Sequence, residues 1–213
     1  MSIKQQVLDR ILAEKAIAIV RLDDPEQVVP TVEAIASGGI STIEITIGTP
    51  QALQHIERYA QHGKILIGVG SVIDAETARR AILAGARFIV TPVSKASVIE
   101  TALLYRVPIF SGAFTPGEIQ QAYEWGADVI KVFPADTLGI SYFKSIKAPM
   151  PHLPLMPTGG VTIDNARDWL EAGACALGVG SALTDRKAIA EGNYEAITEN
   201  ARRLQSLIDR YRA

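Results

Sequence analysis

A lysine and a glutamate lie inside two apolar runs of this sequence, where ionisable side chains are uncommon. Lys131 interrupts an apolar run over residues 127–134, and Glu44 interrupts another over residues 42–47. Such runs are typical of strands buried on both faces of a parallel sheet. Burial favours loss of the ammonium proton, and a neutral lysine amine can condense with a ketone to form a Schiff base. A carboxylate in the same water-poor space could transfer protons in that reaction.

Two structural interpretations compete with this chemistry. Lys131 could lie at a strand end and extend its charge back to water. Alternatively, Lys131 and Glu44 could form a buried ion pair that fixes the register of the strands.

Two glycine-rich segments near the end of the sequence predict a phosphate site. They are Thr158-Gly159-Gly160 and Gly178-Val179-Gly180-Ser181, each directly after or within an apolar run. Glycines let backbone N–H groups approach an anion closely, and a helix N-terminus after the last strand would add its positive dipole end. The structural alternative is that these glycines only form tight turns.

The elements that must position these residues alternate regularly along the chain. Strands are predicted at residues 16–20, 42–47, 65–70, 88–92, 107–110, 127–134, 153–157 and 176–180. Helices are predicted at residues 4–14, 25–38, 49–63, 74–85, 95–105, 115–126, 140–147, 164–173 and 194–211. Alternation with short connections implies a parallel sheet. Eight units in 213 residues predict an α/β fold, a (β/α)8 TIM barrel with an extra N-terminal helix.

The main competing fold is an open doubly wound sheet, but no Gly-x-Gly-x-x-Gly turn follows the first strand. In a barrel the active site lies at the carboxyl ends of the strands. The polar residues predicted there are Arg21, Glu44, Thr46, Ser71, Thr91, Lys131, Thr158 and Ser181.

Composition narrows the class of protein. The net charge of −2 and the absence of a basic block argue against nucleic acid as a partner. No apolar run is long enough for a membrane span, and the start lacks the pattern of a signal peptide, so we expect a cytoplasmic protein without a membrane partner. We expect residues 1–213 to form a single domain. His55, His62 and His152 have no metal-ligand spacing, no metal site or cofactor is predicted, and His55 and His62 are expected to be solvated.

The sequence resembles the 2-keto-3-deoxy-6-phosphogluconate (KDPG) and 4-hydroxy-2-oxoglutarate aldolases over nearly its whole length. The matching segments are residues 43–46 (IEIT), 67–71 (IGVGS), 89–92 (IVTP), 130–135 (IKVFPA), 157–161 (PTGGV) and 178–181 (GVGS). The resemblance implies a metal-free class I aldolase on a (β/α)8 barrel, commonly a homotrimer, acting on a small keto-acid phosphate.

The resemblance also implies roles for individual residues. Lys131 looks like the Schiff-base lysine and Glu44 like the general acid/base. Ser71, Thr91, Pro92 and Phe133 look like parts of the pyruvate pocket, and Thr158 is similar to the residue near the keto-acid carboxylate. Gly159, Gly160, Gly180 and Ser181 resemble the phosphate cradle.

The chain departs from the family pattern at two places. Many members have an arginine where this chain has Gly48, which leaves Arg21 as the candidate for holding the acid group. Members acting on the galactonate epimer also lack that arginine and carry one after the first strand. Ser111-Gly112 replaces the more usual Pro-Gly.

The expected function is cleavage of KDPG to pyruvate and glyceraldehyde 3-phosphate, with 4-hydroxy-2-oxoglutarate as a further substrate to test. Three alternatives stay open. They are the same reaction on the phosphogalactonate epimer, a phosphosugar isomerase or synthase in which Lys131 is a simple cation, and a non-catalytic barrel that binds phosphometabolites.

Overall fold

The computed structural model describes residues 1–61 and 63–212. Eight strands form one sheet in which all paired neighbours run parallel. Their bounds are β1 Ala16–Val20, β2 Thr42–Thr46, β3 Leu66–Gly70, β4 Ile89–Val90, β5 Ile109–Ala113, β6 Val129–Val132, β7 Leu155–Pro157 and β8 Leu177–Val179.

Helices alternate with these strands. Within the described ranges they are α1 Ile3–Glu14, α2 Val28–Ser37, α3 Ala52–Ala60, α4 Ala75–Leu83, α5 Ala96–Leu104, α6 Pro116–Glu124, α7 Ala135–Lys147, α8 Ala166–Glu171, α9 Arg186–Ala190 and α10 Tyr194–Arg212, with a 3-10 turn Pro25–Gln27 before α2. The sequence signals at two helix starts are confirmed. Asp74 caps α4, and Thr115 with Glu118 forms a capping box on α6.

The sheet closes into a barrel at the junction between β7 and β8. The strand order is β7-β6-β5-β4-β3-β2-β1-β8. The two end strands are joined by one isolated parallel bridge, Thr158 to Gly178, and by a hydrogen bond from Cys175 N to Leu155 O of 2.9 Å. The (β/α)8 barrel prediction is therefore confirmed.

Alternation along the strands divides the apolar residues into two clusters. One cluster fills the barrel interior, with Phe88, Phe110, Val129 and Met156 fully buried. The other lies between the sheet and the surrounding helices. Since Val7 and Ile11 of α1 belong to the interior cluster, the extra N-terminal helix covers the end of the barrel opposite the strand carboxyl ends.

The carboxylate of Glu14 joins α1 to the start of β2. It accepts hydrogen bonds from the backbone N–H of Thr42 at 3.0 Å and from the Thr42 hydroxyl at 2.8 Å. It also accepts from the backbone and hydroxyl of Ser41. These bonds fix the amino end of β2, the strand that also carries Glu44.

Strand β5 differs from its prediction, which ended it at residue 110. The strand continues to Ala113. Its last residues are small and fit a crowded part of the sheet, and a search for apolar runs does not detect them. The Ser111 hydroxyl donates to Ser94 Oγ at 3.2 Å, and Ser94 Oγ donates to Gly112 O at 2.7 Å. A Cβ on Gly112 would lie 2.2 Å from the backbone of Pro92, so only glycine fits there.

Three predicted helix starts are wrong. The helix predicted from Thr49 begins at Ala52, because the buried Thr49 hydroxyl is bonded to Thr46 at 3.1 Å and does not cap it. Helix α7 begins at Ala135 rather than at residue 140, with a break at Gly139 (φ 74°). After β8 the chain forms a turn, and α9 begins only at Arg186.

One histidine prediction is also wrong. His55 is only 9% exposed and its Nε2 atom has no hydrogen-bond partner in the described chain. Burial and then the charge of Arg58 lower its pKa. His62 lies outside the described residues. Among the helices that the structure describes, none is long and apolar enough to cross a membrane.

Candidate active site

Lys131 lies on β6 and is buried within the upper part of the barrel. Its exposed fraction is 5%, so the interpretation that it extends its charge into bulk water is wrong. Burial lowers the pKa of the Lys131 amine, Glu44 acts in the opposite direction, and Arg21 lowers it further. The amine nitrogen lies 5.0 Å from the centre of the Phe133 ring. Burial favours a neutral amine, whereas the Glu44 carboxylate and the Phe133 ring face favour the cation.

Glu44 lies on β2 and is 1% exposed. Burial raises the pKa of its carboxyl, while Lys131 and then Arg21 lower it. Its Oε2 atom has no hydrogen-bond partner among residues 1–61 and 63–212. No direct ion pair joins Glu44 to Lys131 in the described part of the chain, although each affects the other's pKa. A buried carboxylate with an unused oxygen is suited to proton transfer rather than to fixing strand register.

Gly70 at the end of β3 makes room for the Glu44 carboxylate. A Cβ at position 70 would lie 1.7 Å from Glu44 Oε1. No side chain larger than hydrogen fits unless the carboxylate moves. The glycine therefore sets the position of Glu44 from the neighbouring strand.

We expect Gly70→Ala to reduce turnover by about 10²-fold, because the carboxylate is displaced by roughly an ångström from its working position. Overpacking should also lower the free energy of unfolding by about 1–3 kcal/mol. Steady-state cleavage assays and urea unfolding measure the two effects. Gly48→Ala is the matched control, since a Cβ there meets nothing within 4 Å. Equal turnover in the two variants would contradict this account of Gly70.

Arg21 and Ser71 form a hydrogen bond across the top of the barrel. Arg21 Nη2 donates to Ser71 Oγ at 3.1 Å, which links the ends of β1 and β3 on either side of β2. Ser71 has a positive φ of 60°. Arg21 is a cation that lowers the pKa values of both Glu44 and Lys131.

Thr91 supports the pocket wall through its backbone contacts. Its hydroxyl donates to Val93 O at 2.8 Å and accepts from Gly112 N at 3.0 Å. Because this hydroxyl bonds two backbone groups, it positions the loop after β4. Pro92 and Phe133 line a cavity of about 350 Å³ on this side of the barrel mouth.

A second cavity, of about 310 Å³, lies at the junction of β7, β8 and β1. Thr158 is 5% exposed there, and its hydroxyl has no hydrogen-bond partner in the described chain. A Cβ on Gly178 would lie 2.1 Å from that hydroxyl, so the glycine makes room for it. Seven predicted site residues line this cavity: Arg21, Phe133, Thr158, Gly159, Gly160, Gly180 and Ser181.

The predicted cradle residues offer backbone donors to this cavity. The N–H groups of Gly160 and Ser181 donate no hydrogen bond within the described chain, whereas that of Gly159 faces Gly178 in the bridge between β7 and β8. At Gly180 it is the carbonyl oxygen that is engaged, since it accepts from Leu183 N at 2.8 Å and from Thr184 N at 3.1 Å. Unused N–H groups beside a cavity are suited to an anion.

The helix dipole predicted after β8 is not available to this cavity. Helix α9 has five residues, and the Asp185 carboxylate already accepts from Ala188 N at 2.7 Å at its start. The sequence interpretation also missed Arg186, which lines the same cavity. The sequence feature that could have identified Arg186 is its position as a cation five residues after Ser181, a predicted cradle residue.

Comparison with known proteins gives concordant matches. Residues 7–200 match the sequence model of the family described as "KDPG and KHG aldolase". The chain is 30% identical over 206 residues to a 2-dehydro-3-deoxy-phosphogluconate aldolase of Haemophilus influenzae, covering 96% of this chain and 97% of that one. It is 35% identical over 170 residues to a 2-dehydro-3-deoxy-6-phosphogalactonate aldolase of Escherichia coli, covering 78% and 83%.

Solved structures agree. A structure described as native KDPGal superposes with a TM-score of 0.84 at 31% identity, covering 92% of this chain and 95% of that one. A KDPG aldolase from Legionella pneumophila, solved with pyruvate captured as a covalent carbinolamine, gives a TM-score of 0.85 at 26% identity and covers 96% and 98%.

Fold, site and relatives together define an aldolase on a (β/α)8 barrel, a carbon–carbon lyase. Within that class, the chain belongs to the KDPG and KHG aldolase family.

Proposed function

We propose that this protein is a class I aldolase that cleaves KDPG to pyruvate and glyceraldehyde 3-phosphate through a Schiff base on Lys131. The observation that carries the proposal is the buried Lys131 amine, with its lowered pKa, in the same interior as the Glu44 carboxylate, whose Oε2 atom has no hydrogen-bond partner within the described chain. A neutral amine can attack a ketone, and a binding protein has no need of one.

In the first half of the reaction, the Lys131 amine adds to the C2 carbonyl of the substrate to give a carbinolamine. The Glu44 carboxyl, whose pKa burial raises, donates a proton to the carbinolamine hydroxyl, which leaves as water and gives a protonated imine that is an electron sink. The ring of Phe133, 5.0 Å from the lysine nitrogen, stabilises the positive charge of this species.

In the second half, Glu44 removes the proton of the C4 hydroxyl, directly or through a water. The C3–C4 bond breaks, its electron pair moves into the imine to give an enamine, and glyceraldehyde 3-phosphate leaves. Glu44 returns the proton to C3, and water hydrolyses the resulting imine to pyruvate and free Lys131. Such acid/base assistance typically contributes about 10²- to 10⁴-fold.

The two charged ends of the substrate have candidate contacts at the mouth of the barrel. Arg21, Ser71 and the unused Thr158 hydroxyl would hold the keto-acid end. The phosphate would lie on the backbone donors of Gly159, Gly160, Gly180 and Ser181. Because the phosphate is remote from the bond that breaks, its binding energy can orient the reacting carbons.

A second candidate substrate is the phosphogalactonate epimer, cleaved by the same mechanism. It is favoured by Arg21 at the end of β1, by the lack of an arginine at Gly48 and by the similarity to the Escherichia coli phosphogalactonate aldolase. Side-by-side kcat/KM values for both epimers and for 4-hydroxy-2-oxoglutarate decide between the substrates.

The proposal is tested by borohydride reduction in the presence of pyruvate and a chelator. We expect a stable pyruvyl adduct on the Lys131 peptide and full cleavage activity without metal. An unmodified Lys131 peptide would refute the Schiff base. Phosphate-ligand binding without turnover on any of these substrates would favour the non-catalytic alternative.

We also propose that the protein is a homotrimer. Leu103 and Leu104 of α5 and Tyr123 and Trp125 of the α6 region are exposed apolar side chains. Leu103 lies beside Gly126, which follows Trp125, so the two helix ends meet at one surface. A solution mass of three 22.9 kDa chains is the expected result.

A further inference from the structure

Three charged side chains line the 310 Å³ cavity at β7 and β8, and two of them are already engaged. Arg21 donates to Ser71 at 3.1 Å, and the Asp185 carboxylate accepts from Ala188 N at 2.7 Å. The third, Arg186, is exposed to the cavity and forms no side-chain hydrogen bond or ion pair within the described chain. It is the cation at this end of the cavity that is available to a ligand.

A positive side chain would strengthen the binding of an anion in this cavity. Helix α9 is too short to contribute a strong dipole, and the Ala188 N–H at its start donates to the carboxylate of Asp185. The backbone N–H groups of Gly160 and Ser181 supply hydrogen bonds but no net charge. A phosphate monoester carries a charge of about −1.5 to −2 at neutral pH, and Asp185 adds a further negative charge nearby.

The geometry points to Arg186 as the residue that makes this enzyme prefer phosphorylated substrates. Its guanidinium places two N–H donors on the phosphate oxygens and offsets the charge of Asp185. The substrate class is 2-keto-3-deoxy sugar acids with a terminal phosphate monoester, in preference to unphosphorylated 4-hydroxy-2-oxoglutarate. This inference rests on the proposed function, because it assigns Arg186 and the glycines of that cavity to the phosphate end of the substrate.

The test compares Arg186→Met with Lys187→Met, which removes the same charge one residue further along α9. Lys187 is exposed and does not line the cavity. For the phosphorylated substrate we expect kcat/KM of Arg186→Met to fall by about 10- to 100-fold, the loss typical of one charged hydrogen-bonding contact. For 4-hydroxy-2-oxoglutarate it should stay within about twofold of wild type, and Lys187→Met should match wild type on both substrates. Arg186→Lys should recover part of the loss.

An equal loss on both substrates, or no loss on the phosphorylated one, would overturn the inference. Calorimetric binding of inorganic phosphate to the same variants separates it from the proposed function. If the wild-type chain traps no pyruvate with borohydride, the Schiff-base proposal fails. Phosphate binding that is lost in Arg186→Met and kept in Lys187→Met would still support the anion contact.

Discussion

Lys131→Met is expected to abolish cleavage and pyruvate trapping, with turnover lower by on the order of 10⁴-fold or more, as for other covalent nucleophiles. Methionine fills nearly the same volume, and the site is apolar enough to accept it because Lys131 is 5% exposed. The variant should therefore remain folded, and its activity loss should reflect the missing amine. Steady-state kinetics and mass spectrometry after borohydride treatment measure both effects.

The acid–base behaviour of Lys131 gives this prediction a second readout. Because burial lowers its pKa below the ordinary 10.5, the unfolded chain binds more protons than the folded chain between the two values. The free energy of unfolding should then rise with pH through that window in the wild type, and this rise should be smaller in Lys131→Met. Imine formation should likewise reach its plateau at a lower pH than a solvated lysine would allow.

Lys131→Arg is the charge-matched control. It keeps a cation but offers no amine that can lose its proton at neutral pH. Cleavage that survived in Lys131→Arg would mean that Lys131 acts as a simple cation, as in the isomerase or synthase alternative.

Glu44→Gln is expected to lower kcat by about 10²- to 10⁴-fold, the range for loss of a general acid/base. The imine with pyruvate should still form and be trapped, since the amine is intact. Removal of the carboxylate also removes the interaction that raises the Lys131 pKa. The pH profile of imine formation should therefore move to lower pH in this variant. A purely structural role for Glu44 would instead leave kcat per folded molecule unchanged.

Glu14→Gln is the matched control for Glu44, because Glu14 is bonded to the opposite end of the same strand. We expect it to lower the free energy of unfolding through its bonds to Ser41 and Thr42, with kcat per folded molecule unchanged. Wild-type kcat in Glu44→Gln would remove this carboxylate from the mechanism.

The barrel could be predicted from the sequence because the patterns that specify its strands and helices are local and repeat along the chain. Apolar runs such as residues 16–20 predict strands directly, and glycines such as Gly126 mark where the helices end. The burial of Lys131 followed from the same pattern, since both of its neighbours are β-branched. Strand β5 could not be predicted in full, because Ser111 and Gly112 fit through contacts with the distant Ser94 and Pro92.

The candidate site could be predicted as a set of residues but not as a set of contacts. The bond from Arg21 to Ser71 joins residues 50 positions apart and depends on how β1 and β3 flank β2. The Thr91 hydroxyl, expected at the pocket, is used by backbone groups that no spacing rule identifies. Arg186 was missed because the turn after β8 brings it back to the glycines. The chemical roles of all these residues stay predictions.

The barrel closes where the proposed ligand would lie. Between β7 and β8 the ladder is reduced to the bridge from Thr158 to Gly178 and the hydrogen bond from Cys175 N to Leu155 O, and residues of the bridge line the cavity. A molecule bound to Thr158, Gly159 and Gly180 would contact both sides of this closure and hold them together. Ligand binding would then raise the thermal stability of the whole barrel by mass action, and release of the product would remove that stabilisation.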